Sequence, residues 1–107
     1  MFIAMNRFKI VSGCEAEFEK MWQERETYLP GVPGFQRFSL MRGASGEDHT
    51  LYITHTVWDS KTAFENWVGS DAFAKAHQQT PPPKESMLGN PVLEKFEAVL
   101  TRAAKSE

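Results

Sequence analysis

Hydrophobic and polar residues alternate at the start of the chain, and this pattern predicts a strand over residues 2–11. One face is mostly apolar and is interpreted as the core side; it carries Phe2, Ala4, Asn6, Phe8 and Ile10. Asn6 is the exception on that face, because a buried amide without partners costs roughly 1–3 kcal/mol. The strand alone leaves two explanations open, a structural hydrogen bond to a nearby loop and a functional role.

The spacing changes to a helical period after Gly13 and predicts a helix that runs to about Tyr28. Two carboxylates, Glu15 and Glu17, fall in its first turn, where they favour the positive end of the helix dipole. Its buried stripe consists of Phe18, Met21, Trp22 and Leu29, with the stem of Arg25 along the edge. A stripe of this composition is more typical of a core than of a cofactor site.

Two extended segments separated by a turn-rich stretch predict an antiparallel hairpin. Its strands are expected over residues 35–42 and 51–58, with the turn over residues 43–48. A last alternating segment, residues 92–100, predicts a fourth strand. The prolines and the glycine that precede it predict a loop over residues 78–90.

A short helical pattern lies between the hairpin and this loop. Asp59 or Ser60 is expected to cap its first helix. The apolar side of that helix is formed by Phe64, Trp67 and Val68. Ser70 or Asp71 is expected to begin a further helical turn, which leads through Phe73 to His77. Trp67 has an ordinary explanation here, because its spacing from Phe64 would place it in the core.

The predicted order β, α, β, β, α, β is that of a ferredoxin-like split βαβ fold of the α+β class, with one antiparallel sheet and helices on one face. All 107 residues are interpreted as a single domain, 1–107, because a chain of this length suits one core. The other face would stay partly exposed in a monomer; it is expected to carry Ile3, Met5, Leu93 and Val99. A second copy is the expected cover, which would make a homodimer.

The charge balance and the cysteine content narrow the possible partners and location. Twelve basic and fourteen acidic side chains give a net charge of −2 with no basic cluster, which argues against a nucleic-acid partner. No run approaches the roughly 20 apolar residues of a membrane-spanning helix, so no membrane partner is expected. The single Cys14 cannot form an internal disulfide and no signal-peptide pattern opens the chain, so we expect a cytoplasmic location.

Three stretches of the chain resemble the corresponding parts of the IsdG-type haem-degrading monooxygenases: IAMNRF near the start, PGFQRF at the first hairpin strand, and TVWDSKTAFENWVGSDAFAKAH from Thr56 to His77. That family belongs to the wider group of dimeric α+β barrel proteins that includes the antibiotic-biosynthesis monooxygenases. The resemblance implies a dimeric α+β barrel. It also implies an enzyme that binds haem as both substrate and cofactor, opens the porphyrin ring to a bilin-type product and releases iron.

The same resemblance implies roles for three residues, because Asn6 of the NRF segment, Trp67 of FENW and His77 of AFAKAH match the family's characteristic active-site positions. His77 would be the axial ligand of the haem iron. Trp67 would press on the porphyrin so that it ruffles, and Asn6 would donate a hydrogen bond near the distal ligand. Phe64 and Phe73 are expected to form apolar walls of the haem site.

Such an enzyme uses O2 and external electrons. The chain carries no dinucleotide-binding fingerprint, so a separate reductase or a small reductant is the expected donor. Three cations are candidate neighbours of the haem propionates, and the sequence does not choose among them: Arg7, Arg25 and Lys84. The other histidines, His49 in the expected turn and His55 in a strand, show no spacing of a zinc site.

Two other functions fit the same residues. A cofactor-independent monooxygenase acting on a phenolic substrate would use His77 as an acid or a base. A non-catalytic haem carrier or store would use the same imidazole as an iron ligand without turnover.

Overall fold

The computed structural model describes residues 1–105 and contains four strands and three α-helices. The strands are β1 (Phe2–Val11), β2 (Phe35–Ser45), β3 (His49–Trp58) and β4 (Val92–Glu97). The helices are α1 (Glu15–Glu24), α2 (Lys61–Val68) and α3 (Asp71–His77), and a single 3₁₀ turn covers Lys84–Ser86. Over these residues no helix has the length and apolar character needed to cross a bilayer.

The four strands form one antiparallel sheet in the order β2-β3-β1-β4. β1 and β3 pair along their whole length, from Phe2 opposite Trp58 to Val11 opposite His49. Both α1 and α2 contact β1, and α2 also contacts β3, so the helices cover one face of the sheet. The predicted ferredoxin-like α+β fold is confirmed, with the second helical region divided into α2 and α3.

The core between the sheet and the helices is divided into two clusters along β1. The first core cluster includes a residue of α2 and consists of Phe2, Ala4, Leu29, Trp58 and Phe64. The second core cluster includes a residue of α1 and consists of Phe8, Ile10, Phe18 and Tyr52. Asn6 lies on the same face of β1, between Ala4 and Phe8, and belongs to neither cluster. The polar residue therefore marks a break in the apolar core.

Serine side chains begin the two short helices. The Ser60 hydroxyl accepts a hydrogen bond from the backbone N–H of Ala63 at 3.1 Å, and it is the cap of α2. The Ser70 hydroxyl accepts from the N–H of Phe73 at 3.2 Å and donates to the carbonyl of Trp67 at 2.5 Å. Ser70 therefore caps α3 and also ties its start to the end of α2.

Gly34 allows the chain to enter β2 close against α2. Its φ of +81° is in the left-handed region, and a Cβ at this position would overlap the Cβ of Ala63. Glycine alone fits both requirements. The glycine of the PGFQRF segment is therefore needed for the packing of α2 on the sheet.

The predicted extension of the first helix to Tyr28 is wrong, because α1 ends at Glu24. Arg25 already has an extended backbone (φ −78°, ψ 136°), and Tyr28 has a positive φ of 59°. The cause is a tertiary contact. The side-chain amide of Gln79 accepts from the N–H of Glu26 at 3.3 Å and donates to its carbonyl at 2.6 Å. In a longer helix this N–H would bond to the carbonyl of Trp22, so its pairing with Gln79 takes the place of a helical hydrogen bond.

The prediction of which side chains of the last strand lie on the helix-free face is also wrong. Leu93 pairs with Asn6 and therefore shares the helix-facing side, whereas Phe96 pairs with Ile3 and lies on the other face. β4 ends at Glu97, so Val99 lies beyond the sheet. The face of the sheet without helices, here called the bare face, therefore carries Phe96 and does not carry Leu93 or Val99.

The hairpin between β2 and β3 is tighter than predicted. β2 extends into the expected turn and β3 begins two residues before the expected strand, which leaves residues 46–48 as the connection. His49 is consequently the first residue of β3 and pairs with Val11, instead of lying in the turn.

Candidate functional site

Four ring side chains from α2 and α3 form one contiguous group, here called the aromatic cluster: Phe64, Trp67, Phe73 and His77. Trp67 meets Phe73 edge to face, with ring centroids 4.8 Å apart and planes at 85°. Phe73 stacks on His77 at 3.9 Å and 28°, and Trp67 lies 6.4 Å from the His77 ring. Phe64 is 6.5 Å from Trp67 and joins the group to the core. The structure thus brings together four of the five residues expected from sequence to bind haem.

The His77 ring is held in one orientation at the end of α3. Its Nδ1 lies 2.9 Å from the backbone oxygen of Phe73, one helical turn earlier. Because a carbonyl oxygen only accepts, Nδ1 carries the hydrogen and donates it, which leaves the lone pair on Nε2. The side chain is exposed. This is the tautomer and the accessibility that an imidazole needs in order to bind a metal through Nε2.

Trp67 is half-buried and packs against the first core cluster. Its ring centroid lies 5.5 Å from that of Trp58, which is completely buried. The indole Nε1 of Trp67 is buried and has no hydrogen-bond partner within residues 1–105. A buried donor without an acceptor costs about 1–3 kcal/mol, so this group calls for an explanation beyond packing.

Asn6 lies in the middle of β1 on the helix-facing side, opposite Thr54 of β3 and Leu93 of β4. None of the side-chain hydrogen bonds in the described part of the chain involves its carboxamide. One of the two explanations that the sequence left open for Asn6, a structural hydrogen bond to a nearby loop, is therefore not found in the described part of the chain. The carboxamide is half-buried and is not sealed from solvent. No hydrogen bond joins it to the aromatic cluster.

Arg25 connects the end of α1 to the end of α3. Its guanidinium carbon lies 5.3 Å from the ring centre of Trp22. One guanidinium nitrogen donates to the carbonyl of Ala76 at 3.4 Å, and another donates to the carbonyl of Thr80. Burial lowers the pKa of Arg25, which stays charged at neutral pH. Among the candidate cations, the structure thus places Arg25 beside the helix that carries His77.

Arg7 is on the other side of the sheet. It pairs with Glu94 at 2.9 Å, and both residues lie on the face without helices. The sequence could not make this distinction, because the contacts of Arg25 with Ala76 and Thr80 join residues more than 50 positions apart.

Two cavities flank α1. One of about 470 Å³ is lined by Met21 and Arg25 on the helix side and by Gln79 and Thr80 opposite. The other, of about 410 Å³, is lined by Trp22, Phe38, Leu40 and Tyr52 together with polar residues. No residue of the aromatic cluster lines either of them. Both openings therefore lie along α1 and outside the aromatic cluster.

The carboxylate of Glu19 holds α1 against the sheet beside the smaller cavity. The Tyr52 hydroxyl donates to Glu19 at 2.5 Å, and Arg42 lies 3.0 Å from the same carboxylate oxygen. Burial, together with the neighbouring Glu19, raises the pKa of Tyr52 to about 12. The hydrogen bond from Tyr52, helped by Arg42, lowers the pKa of Glu19. Neither group titrates near neutral pH, so this pair holds α1 in place and is unsuited to acid–base chemistry.

Within residues 1–105 no three or more His, Cys, Asp or Glu side chains are arranged to hold a metal ion. His49 bonds to Asp48 at 2.6 Å, and His55 is on the bare face of the sheet. A porphyrin supplies four of the ligands of its own iron, so a haem site needs only one protein ligand. His77 meets that requirement.

The fold and the arrangement of these residues define a family. Residues 1–79 match the antibiotic biosynthesis monooxygenase family, and the chain belongs to it. The match covers β1, the β2–β3 hairpin and all three α-helices, including the aromatic cluster. The mycobilin-producing heme oxygenase of Mycobacterium tuberculosis is 32% identical to the chain over 72 residues, which is 67% of each sequence. The family membership indicated by the sequence motifs is confirmed.

Solved structures share the fold over nearly the whole chain. The heme-degrader MhuD of Mycobacterium tuberculosis, with two hemes bound in its active site, is 29% identical and superposes with a TM-score of 0.74 over 96% of this chain and 100% of that one. An antibiotic biosynthesis monooxygenase from Bacillus cereus superposes with a TM-score of 0.80 over 99% of this chain and 98% of that one. The second is only 19% identical, so it shows the fold alone.

Proposed function

We propose that this protein is a haem-degrading monooxygenase that binds haem as its substrate, opens the porphyrin ring and releases the iron. The observation that carries the proposal is the His77 imidazole, which donates from Nδ1 to Phe73 and keeps Nε2 free beside an aromatic wall. The relatives described as a heme oxygenase and a heme-degrader support haem, rather than a phenol, as the substrate.

Each residue of the proposed site has a separate task. His77 would bind the haem iron through Nε2, with its orientation maintained by the Phe73 carbonyl. Trp67 would press on the porphyrin, because its ring is braced from behind by Trp58. Asn6 would direct its amide N–H toward the oxygen that attacks the ring, since its carboxamide is free of other partners. Phe64 and Phe73 would exclude water from the apolar part of the macrocycle.

The reaction consumes O2 and electrons, and the haem iron supplies the redox chemistry. We infer that electrons come from a separate reductase or a small reductant. A reducing cytoplasm would suit such a supply and the single thiol, Cys14, which is unpaired in the structure.

We also infer that the protein is a homodimer formed through the face of the sheet without helices. Three of its apolar side chains are substantially exposed: Met41, Val92 and Phe96. His55 lies on this face as well, and its buried Nδ1 has no partner within residues 1–105. A second copy would cover the apolar surface and close the two sheets into a barrel.

Titration of the purified protein with hemin tests the haem proposal. Wild type is expected to give a saturable Soret shift that is lost in His77→Ala, while the control variant His49→Ala keeps it, because His49 lies in the sheet and pairs with Asp48. Ascorbate or a reductase under O2 should then bleach the Soret band of the wild-type complex and free iron, which a ferrous-iron chelator records.

Two results would reject the proposal in different ways. A haem complex that stays intact under reductant and O2 would indicate a carrier or store. The absence of any His77-dependent spectrum would remove haem as the ligand and would favour a monooxygenase acting on a phenolic substrate.

A further inference from the structure

Gln79 connects the end of the His77 helix to the segment that follows α1. Its side-chain amide accepts a hydrogen bond from the N–H of Glu26 at 3.3 Å and donates to the carbonyl of the same residue at 2.6 Å. The same amide nitrogen lies 3.2 Å from the carbonyl oxygen of Ala76, to which it also donates. One side chain therefore pairs with three backbone groups from two parts of the chain.

The Ala76 carbonyl belongs to the peptide bond whose nitrogen is that of His77. Arg25 donates to this oxygen at 3.4 Å, so two side chains bind the peptide group that carries the imidazole. α3 has only seven residues, and the last turn of so short a helix frays when nothing holds it. The contacts of Gln79 and Arg25 therefore hold the helix end against α1.

We propose that Gln79 is a positioning residue for His77: it fixes the Ala76–His77 peptide against the Glu26 backbone and so determines where the imidazole meets the iron. This inference rests on the proposed haem function. Gln79 does not bind haem in this scheme and acts only through His77. Its neighbour Gln78 is exposed and its side chain takes part in none of the hydrogen bonds of the described residues, which makes it a matched control.

The first experiment compares haem release from wild type, Gln79→Ala and Gln78→Ala by transfer of haem to an excess of apomyoglobin. Gln79→Ala is expected to release haem roughly 3- to 10-fold faster than wild type, the factor given by loss of one or two neutral hydrogen bonds. Gln78→Ala is expected to match wild type. Gln79→Glu keeps the acceptor for Glu26 but loses both donor contacts, so it should behave like Gln79→Ala.

The second experiment separates positioning from a general structural role. In the His77→Ala background, Gln79→Ala should cause no further change in the residual haem release, because its effect passes through the imidazole. The iron–histidine stretching band of the ferrous haem complex, recorded by resonance Raman spectroscopy, should shift or broaden in Gln79→Ala and remain unchanged in Gln78→Ala.

Failure of this inference is distinguishable from failure of the proposed function. If wild type binds haem in a His77-dependent way but Gln79→Ala has the release rate and Raman band of Gln78→Ala, the positioning role is rejected and the haem site stands. If Gln79→Ala still accelerates release without His77, Gln79 acts by another route and the inference is also wrong. If wild type shows no His77-dependent haem spectrum, both proposals fail.

Discussion

At the scale of single residues, hydrogen bonding and exposure together separate the three histidines of the chain. His49 pairs with Asp48, His55 has a buried Nδ1 on the bare sheet face, and His77 donates to its own helix. His49 also donates from Nδ1, but its ring is half-buried at the start of β3. Only His77 combines a defined tautomer with an exposed ring that stacks on Phe73. The suitability of His77 as an iron ligand therefore comes from its exposure and its aromatic neighbours as well as from the Phe73 carbonyl.

Asn6 allows a direct test of the oxygen-directing role. In Asn6→Ala, haem affinity should stay close to that of wild type, while single-turnover ring opening slows roughly 10- to 100-fold, as loss of a hydrogen bond to a charged group would give. Stopped-flow spectra of the Soret decay measure the rate. Asn66→Ala, which removes an exposed amide next to Trp67, is the control. An unchanged rate in Asn6→Ala would exclude the residue from the chemistry.

Glu19 should contribute to the decrease in the free energy of unfolding at acid pH. The Tyr52 hydrogen bond, followed by Arg42, lowers its pKa in the folded state, so its contribution is present above the unfolded value of 4.5 and is lost as the pH falls through the lowered value. The free energy of unfolding of Glu19→Gln should therefore fall less steeply than that of wild type between about pH 5 and pH 3. Urea unfolding followed by fluorescence measures it.

Glu17→Gln is the control for that measurement, because it removes an exposed carboxylate of the same helix. If the free energies of unfolding of Glu19→Gln and wild type fall in parallel as the pH falls, the pairing of Glu19 with Tyr52 does not determine the loss of stability at acid pH.

At the scale of the elements, α3 depends on its ends. It is short, it contains no buried residue, and it is held by the Ser70 cap at its start and by Arg25 and Gln79 at its end. Intrinsic helix stability is marginal at this length, so these contacts decide whether the helix forms. The position of His77 therefore follows from capping and tertiary hydrogen bonds rather than from burial.

Ser70→Ala tests the cap of α3. It removes the acceptor for Phe73 and the donor to Trp67, so the free energy of unfolding should fall by about 1 kcal/mol, which corresponds to a decrease in Tm of roughly 4–8 °C for a domain of this size. Calorimetry of the apoprotein measures the change. Ser60→Ala is the comparison, since it removes only the cap of α2, and it should weaken haem binding less. Equal losses of haem affinity in the two variants would argue against a separate role for α3.

At the scale of the whole molecule, the sheet is covered on one side only. The helices protect the first and second core clusters, whereas the other face exposes apolar side chains from two strands, β2 and β4. A chain of this size gains stability by covering such a surface with a second copy. The proposed site lies on the opposite side of the sheet, so the proposed dimer would leave the aromatic cluster free for haem.

Phe96→Glu tests the proposed dimer. Phe96 is 49% exposed on the bare face, so a carboxylate there should spare the monomer fold and weaken association at least roughly 100-fold by burying an unpaired charge in the interface. Leu93→Glu is a matched control, because Leu93 is 50% exposed on the same strand but on the helix side. Light scattering reads the mass. A monomeric wild type, or equal masses for both variants, would contradict this interface.

Local patterns in the chain were sufficient for most of the fold. The alternation over residues 2–11 defines β1 from end to end, and the hairpin, the order of elements and the capping of the short helices at residues 59–60 and 70–71 also follow from spacing and turn chemistry. The same patterns bring Phe64, Trp67, Phe73 and His77 together, because these residues lie within two adjacent short helices. Such features depend on contacts between residues that are close in sequence, and local propensity reports on those.

Contacts between distant parts of the chain decided the rest. The early end of α1 depends on Gln79, the face of Leu93 depends on the register of β4 against β1, and the choice of Arg25 over Arg7 depends on which side of the sheet each occupies. A shift of one residue in register exchanges the two faces of a strand, and no pattern within β4 alone specifies that register. Side-chain bonds that span more than 50 residues likewise have no local signature, so only the folded structure places them.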